Sequence, residues 1–210
     1  MLERAERFAR RAPATPGRGP RLPEGHAYKG SPIVSAALKL APLVFQRPGE
    51  LRLAEWPEFD LDGATWEIPA GRMQRKKAGK LNGADHFVPL STQAVAILRE
   101  LYALTGAGKH VFPSVRGDVR PMSDGTLAAA YKLMGVVSET ATPHGWRATA
   151  RTLAVEKLGI PVEIVEMQLA HDARDVHGRA YYRTQWLDQR RDLMQRWADC
   201  LDELRAKPES

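Results

Sequence analysis

The sequence predicts a mainly α-helical domain that carries one small antiparallel β-sheet, an α+β fold. Three observations lead there. Apolar residues recur three and four positions apart through Ala94, Ile97, Leu98, Leu101 and Leu104, the period of a helix with one buried face. Two short extended stretches, residues 64–68 and 86–90, bracket a polar, basic segment and read as a β-hairpin with a long loop. From His144 onward the chain reads as almost wholly helical.

The elements follow in order. Residues 1–27 hold six Arg and four Pro with little apolar periodicity, so they read as a basic leader without a fold of its own. That leader is either a truncation remnant or an arm that touches phosphates, and residues 28–210 form the domain. Residues 33–45 are apolar enough for a buried helix. Arg47-Pro48-Gly49-Glu50-Leu51 then gives a break and a second helical turn, with Arg47 at the corner. Ser91 is an N-cap for the helix that stops near Gly106, and residues 111–113 read as an extended connection. Ser123 opens a helix closing at Gly135. A further helix runs from His144 to about Leu158 with Gly159 as its stop, and Pro161 takes the first position of the next. The last helix carries an apolar stripe from Trp186 to Leu204 that only Arg190 interrupts.

Composition narrows the function classes. A single cysteine, Cys200, excludes an internal disulfide and a thiolate metal cluster. No apolar run approaches the roughly 20 residues that span a bilayer, and Met1 is followed by charge, so the expected location is cytoplasmic. Lys plus Arg outnumber Asp plus Glu by 31 to 25, a formal net charge of +6 that favours a polyanionic partner.

The motif of greatest interest is His144-Gly145-Trp146-Arg147. An H-x-x-R at a helix start sets imidazole and guanidinium one turn apart on one face, where both reach one anion beside the unpaired N–H groups of the helix end. His171 follows Arg147 by 24 residues and Tyr181 follows His171 by ten. With Arg47 upstream, the order is R, H-x-x-R, H, Y. That order, together with the segments 47–52, 86–91, 111–114, 168–171, 180–183 and 194–199, resembles the tyrosine recombinases, in particular the integrases of prophages and genomic islands. The similarity runs from about Tyr28 to Leu204.

The resemblance implies the phage-integrase catalytic-domain fold and site-specific DNA recombination through a 3′-phosphotyrosyl intermediate. It assigns the nucleophile to Tyr181, which follows Ala180 as the family pattern requires, and not to the adjacent Tyr182. Arg47 and Arg147 would clamp the scissile phosphate, since a planar guanidinium donates bidentately and stays charged. His144 is assigned to proton handling near the phenol, and His171 to a non-bridging oxygen. No cofactor and no metal is implied, because the phosphotyrosine bond conserves the phosphoester energy. The partner implied is double-stranded DNA at attachment sites in a bacterial nucleoid. Four protomers would surround two duplexes in the full-length enzyme, and this chain alone would be a monomer.

The match fails in two places. Family members place a lysine, commonly in R-M-K, as the acid for the 5′-oxygen, and Arg72-Met73-Gln74 has glutamine there. Among Arg75, Lys76, Lys77 and Lys80 we choose Lys76 for the role, with a solvated basic loop as the other reading. Arg72, Arg75, Lys77 and Lys80 are candidate DNA contacts. The family's arm-binding and core-binding modules have no counterpart in these residues. Both departures allow a second function, a catalytically impaired module that only binds DNA or a partner. Glu50 either orients Arg47 or lies exposed at a helix start, Trp146 is core or lid, and His86 and His177 have no place in the signature.

Overall fold

The computed structural model describes residues 28–73, 84–136, 142–170 and 186–206. Helix α1, Pro32–Val44, starts with proline in its first turn, where a missing N–H costs nothing. It is apolar on most of its surface, and accordingly it lies in the middle of the domain. The helices α3 (Thr92–Thr105), α4 (Thr126–Leu133), α5 (Gly145–Glu156) and α7 (Leu187–Ala206) all pack on it. A short helix α2, Pro48–Arg52, follows α1 directly, and α6, Val162–Gln168, packs on α5 and α7.

The sheet is antiparallel in the order β1-β2-β3, formed by Phe59–Asp60, Thr65–Ile68 and His86–Pro89. The hairpin expected from the sequence is present, and its register pairs Trp66 with Val88 and Ile68 with His86. Both Trp66 and Val88 are fully buried. Strand β1 was not anticipated. At two residues it is too short to show an alternating pattern, and a 3₁₀ turn, Trp56–Glu58, leads into it. It is held by Phe59 stacked on Trp66, with centroids 5.1 Å apart.

A second hairpin, β4 (Pro113–Ser114) with β5 (Gly117–Pro121), stands where only an extended connection was expected. Residues 117–121 are Gly-Asp-Val-Arg-Pro, too polar to announce a strand, so backbone pairing rather than burial defines it. Helix α4 starts three residues after Ser123, whose hydroxyl sits 2.8 Å from that of Thr126 instead of capping at the expected position. Pro161 stands one position before α6 rather than in its first turn. Ser91 does cap α3, accepting from the amide of Ala94 at 3.3 Å. Gly159 takes φ 64° between α5 and α6, the left-handed region that a side chain would strain.

Helix α7 closes the domain on its own chain. Leu193, Met194, Trp197 and Leu201 are buried as the stripe implies. Trp197 meets Phe45 edge to face at 5.5 Å and donates its indole N–H to the Pro42 carbonyl at 2.8 Å. That carbonyl belongs to the last turn of α1, which has no intrahelical donor for it. No helix among the described residues is long and apolar enough to cross a membrane.

Replacing Trp197 with Ala is expected to destabilise the domain by about 3–5 kcal/mol, read by urea unfolding, because it leaves a cavity against Phe45 and strips the Pro42 carbonyl of its donor.

Candidate active site

The corner after α1 is shaped by one residue. Phe45 adopts φ 62°, ψ 7°, a left-handed conformation that costs a non-glycine roughly 1–2 kcal/mol. Its ring, wedged against Trp197, holds it there. The turn ends α1, points the Phe45 carbonyl toward α5, and delivers Arg47 in extended geometry at the start of α2.

Arg47 is oriented by Glu50. The Glu50 carboxylate accepts the Arg47 backbone N–H at 3.0 Å through Oε2 and the Arg47 guanidinium at 3.0 Å through Oε1. Glu50 is fully buried, so of the two readings open in the sequence the structure selects the orienting one.

Arg147, on α5, is 5% exposed. It donates through Nη1 to the carbonyl of Phe45 and through Nη2 to that of Leu169 at 2.7 Å. The Leu169 carbonyl lies at the end of α6, just before Ala170 turns left-handed at φ 49°. One guanidinium thus ties together the approach to Arg47 and the approach to His171. Burial, and then the positive charge of Arg47, lower the pKa of Arg147 to about 10, while Glu50 and Glu166 push it upward. At about 10 the Arg147 guanidinium stays charged at neutral pH.

His144 stands exposed at the N-cap of α5, one turn before Arg147. The Thr142 hydroxyl accepts the first helical N–H, from Gly145, at 2.9 Å. Trp146 is core: buried, it donates to the Tyr131 hydroxyl at 2.6 Å. Burial raises the Tyr131 phenol above its usual pKa.

Behind the arginines lies a polar layer that sequence reasoning missed. The Gln168 carbonyl accepts the Gln46 amide at 3.1 Å and lies 3.2 Å from His86 Nε2. Gln46 also donates to the Val44 carbonyl at 3.2 Å. Arg190, the interruption in the α7 stripe, is 1% exposed and donates to Gln168 Oε1 at 2.9 Å and to the Phe87 carbonyl. Burial lowers its pKa to about 10. A lone charge on an otherwise apolar face was the signal available for Arg190. Gln46 and Gln168 carried none beyond adjacency to signature residues.

Arg72, expected among the DNA contacts, is turned inward to Glu58 and to the Glu50 carbonyl. His171, Tyr181, Tyr182 and His177 lie outside the described residues, as do Gln74, Arg75, Lys76, Lys77 and Lys80. The described residues contain no group of three or more His, Cys, Asp or Glu placed to hold a metal ion.

A mainly helical domain with a three-stranded antiparallel sheet in this arrangement has counterparts among solved structures. The fold is that of tyrosine recombinase catalytic domains. An integrase from mycobacterium phage Brujita superposes with TM-score 0.59 at 21% identity, covering 87% of this chain and 60% of that one. The XerA recombinase does so with TM-score 0.55 at 15% identity, covering 94% and 67%. A lambda integrase dimer bound to a COC′ core site gives 0.51 at 19% identity, covering 80% and 44%.

Sequence comparison then fixes the family. The model of the phage integrase family matches residues 29–186, and this chain belongs to that family. It is 38% identical over 210 residues to the integrase of Enterobacteria phage P4, covering 95% of this chain and 47% of that protein. It is 39% identical over 157 residues to the prophage integrase IntA of Escherichia coli K12, covering 75% and 36%. The chain therefore spans about half or less of the length of these relatives.

Arg147→Lys keeps a charge but cannot span two carbonyls. It is expected to cost about 1–3 kcal/mol in urea unfolding, the penalty for a buried acceptor left without its donor.

Proposed function

We propose that the chain is the strand-cutting domain of a site-specific DNA recombinase that joins or releases a mobile element. The observation that carries this reading is the Arg147 tie, which gathers Arg47, with its Glu50 brace, and the end of α6 around one buried guanidinium. The family membership supports it, and the lambda integrase neighbour is bound to a DNA core site.

The chemistry follows from what phosphoryl transfer demands. Charge grows on the non-bridging oxygens in the transition state, and fixed cations stabilise it without reorganising. Arg47 and Arg147 supply that charge, with His171 adding a hydrogen bond. The phenol of Tyr181 has an ordinary pKa near 10, so its proton must leave as attack begins, and His144 handles it. The Tyr181 oxygen forms a bond to phosphorus while the bond to the 5′-oxygen breaks. Lys76 delivers a proton to that oxygen, giving a 5′-hydroxyl and a 3′-phosphotyrosine. A second 5′-hydroxyl reverses the step on a new strand, so neither ATP nor a metal is consumed. Arg75, Lys77 and Lys80 contact phosphates beside the site. In the full-length enzyme four such domains act around two duplexes in the cytoplasm, on nucleoid DNA.

Incubation with a pool of nicked duplexes of randomised sequence, in which the fragment beyond the cut diffuses away, tests this. A covalent protein–DNA adduct is expected, lost in Tyr181→Phe and kept in Tyr182→Phe. Adduct that persists in Tyr181→Phe would reassign the nucleophile. Salt-sensitive DNA binding without any adduct would mark a module that only binds. Lys76→Ala is expected to slow adduct formation by about 10²–10⁴-fold, the range for loss of a general acid.

A further inference from the structure

We propose that Arg72 is a positioning residue for Arg47, acting through the backbone of α2, and not a DNA contact. The proposal rests on the recombinase reading for its catalytic consequence and on the structure for the clasp itself.

Helix α2 is only five residues long, Pro48–Arg52. One turn of helix fixes several dihedrals for very few hydrogen bonds, so it does not hold itself. Its internal bonds at the start are those from the Glu50 and Leu51 amides to the Arg47 carbonyl, at 2.9 and 3.0 Å. The Glu50 carbonyl falls among the last four of the helix, which have no intrahelical donor. Arg72 Nη1 donates to that carbonyl at 2.8 Å. Glu50 is the residue whose carboxylate aims Arg47, so Arg72 grips the backbone of the residue that sets the guanidinium.

Arg72 is itself fixed from three sides. Its Nε donates to Glu58 Oε1 at 2.7 Å and its Nη2 to Glu58 Oε2, a bidentate pair in which both side chains are largely buried. Its guanidinium carbon lies 5.9 Å from the centroid of the Trp66 ring. Glu58 Oε2 also accepts the Trp66 indole N–H at 2.9 Å. The fork geometry is specific to arginine: two nitrogens grip one carboxylate while the third reaches a carbonyl. A lysine keeps the charge and cannot make that bridge. The charge of Arg72 is matched by Glu58, so to contact a phosphate it would have to release a buried carboxylate, which opposes the exchange. The Arg72–Glu58 pair therefore locks the end of the β2 strand to the Arg47 corner.

The test uses the 210-residue chain with Arg72→Met, Arg72→Lys and Glu58→Gln, each checked by circular dichroism and melting. Two readouts are taken: amide exchange at Glu50 and Leu51, and the rate of adduct formation at saturating nicked duplex alongside duplex affinity over a salt series. Exchange is expected to accelerate in all three. The adduct rate at saturating DNA is expected to fall by about 10²-fold, as misplacement of a catalytic group does. Affinity should stay within a few-fold, and its salt slope should not change. Arg72→Lys should remain defective despite its charge. A phosphate contact behaves oppositely. Losing it would lower the slope by about one and leave the rate at saturation intact, and Glu58→Gln would free Arg72 to bind DNA more tightly. That pattern overturns the proposal, as does unchanged exchange, or faster exchange with an unchanged adduct rate. If Arg72→Met does not fold, Glu58→Gln carries the test. If the unsubstituted chain forms no adduct, the recombinase reading fails, while exchange at Glu50 and Leu51 still decides whether the clasp exists.

Discussion

Buried helix ends are the constraint on which this domain depends. Helices α1 and α6 both finish inside the protein, and the last carbonyls of a helix have no donors of their own. Left bare in the interior, each would cost on the order of 1–3 kcal/mol. Trp197 covers Pro42, Gln46 covers Val44, Gln46 and His86 approach Gln168, and Arg147 covers Phe45 and Leu169. Helix C-termini also carry partial negative charge, which favours a cation there. The same physics that makes the two helix ends tolerable thus draws a guanidinium between them and brings the corner carrying Arg47 to the corner preceding His171.

The proposed function draws on that placement. A guanidinium used as a structural tie is rigid and desolvated, which is what electrostatic stabilisation of a transition state requires. Burial and the charge of Arg47 lower the pKa of Arg147 to about 10, which leaves it charged at neutral pH. Arg47 is treated differently. It keeps some exposure and takes its geometry from Glu50, whose carboxylate offsets the repulsion between the two arginines. Of the two proposed clamp residues, Arg147 is buried in the core and Arg47 stays partly exposed.

The sequence showed the helical stripes, the hairpin and the order of signature residues, because these rest on local periods and spacings. Helix α1, the cap at Ser91 and the two extended stretches of the first hairpin follow such local rules. What it hid were pairings between distant residues with no repeating pattern. Glu58 meets Arg72 and Trp66, Arg190 meets Gln168 and Phe87, and Gln46 meets Gln168 across 122 positions. Strand β1 and the second hairpin were hidden for another reason: they are too short or too polar to show an alternating pattern. Arg72 illustrates the difference. Its basic neighbours suggested a surface role, and the acid that turns it inward stands 14 residues earlier in the chain.

In the proposed reaction the Arg147 tie holds two arginines around the one phosphate that Tyr181 attacks. A structure of the protein with a nicked duplex and orthovanadate tests this, since vanadate can join the phenol, the 3′-hydroxyl and the 5′-hydroxyl at the nick as a mimic of the five-coordinate transition state. Tyr181 Oη is expected at one apex and the guanidinium groups of Arg47 and Arg147 on the equatorial oxygens, with the carbonyls of Phe45 and Leu169 still bonded to Arg147. A vanadate bound away from either arginine, or capped by another tyrosine, would contradict it.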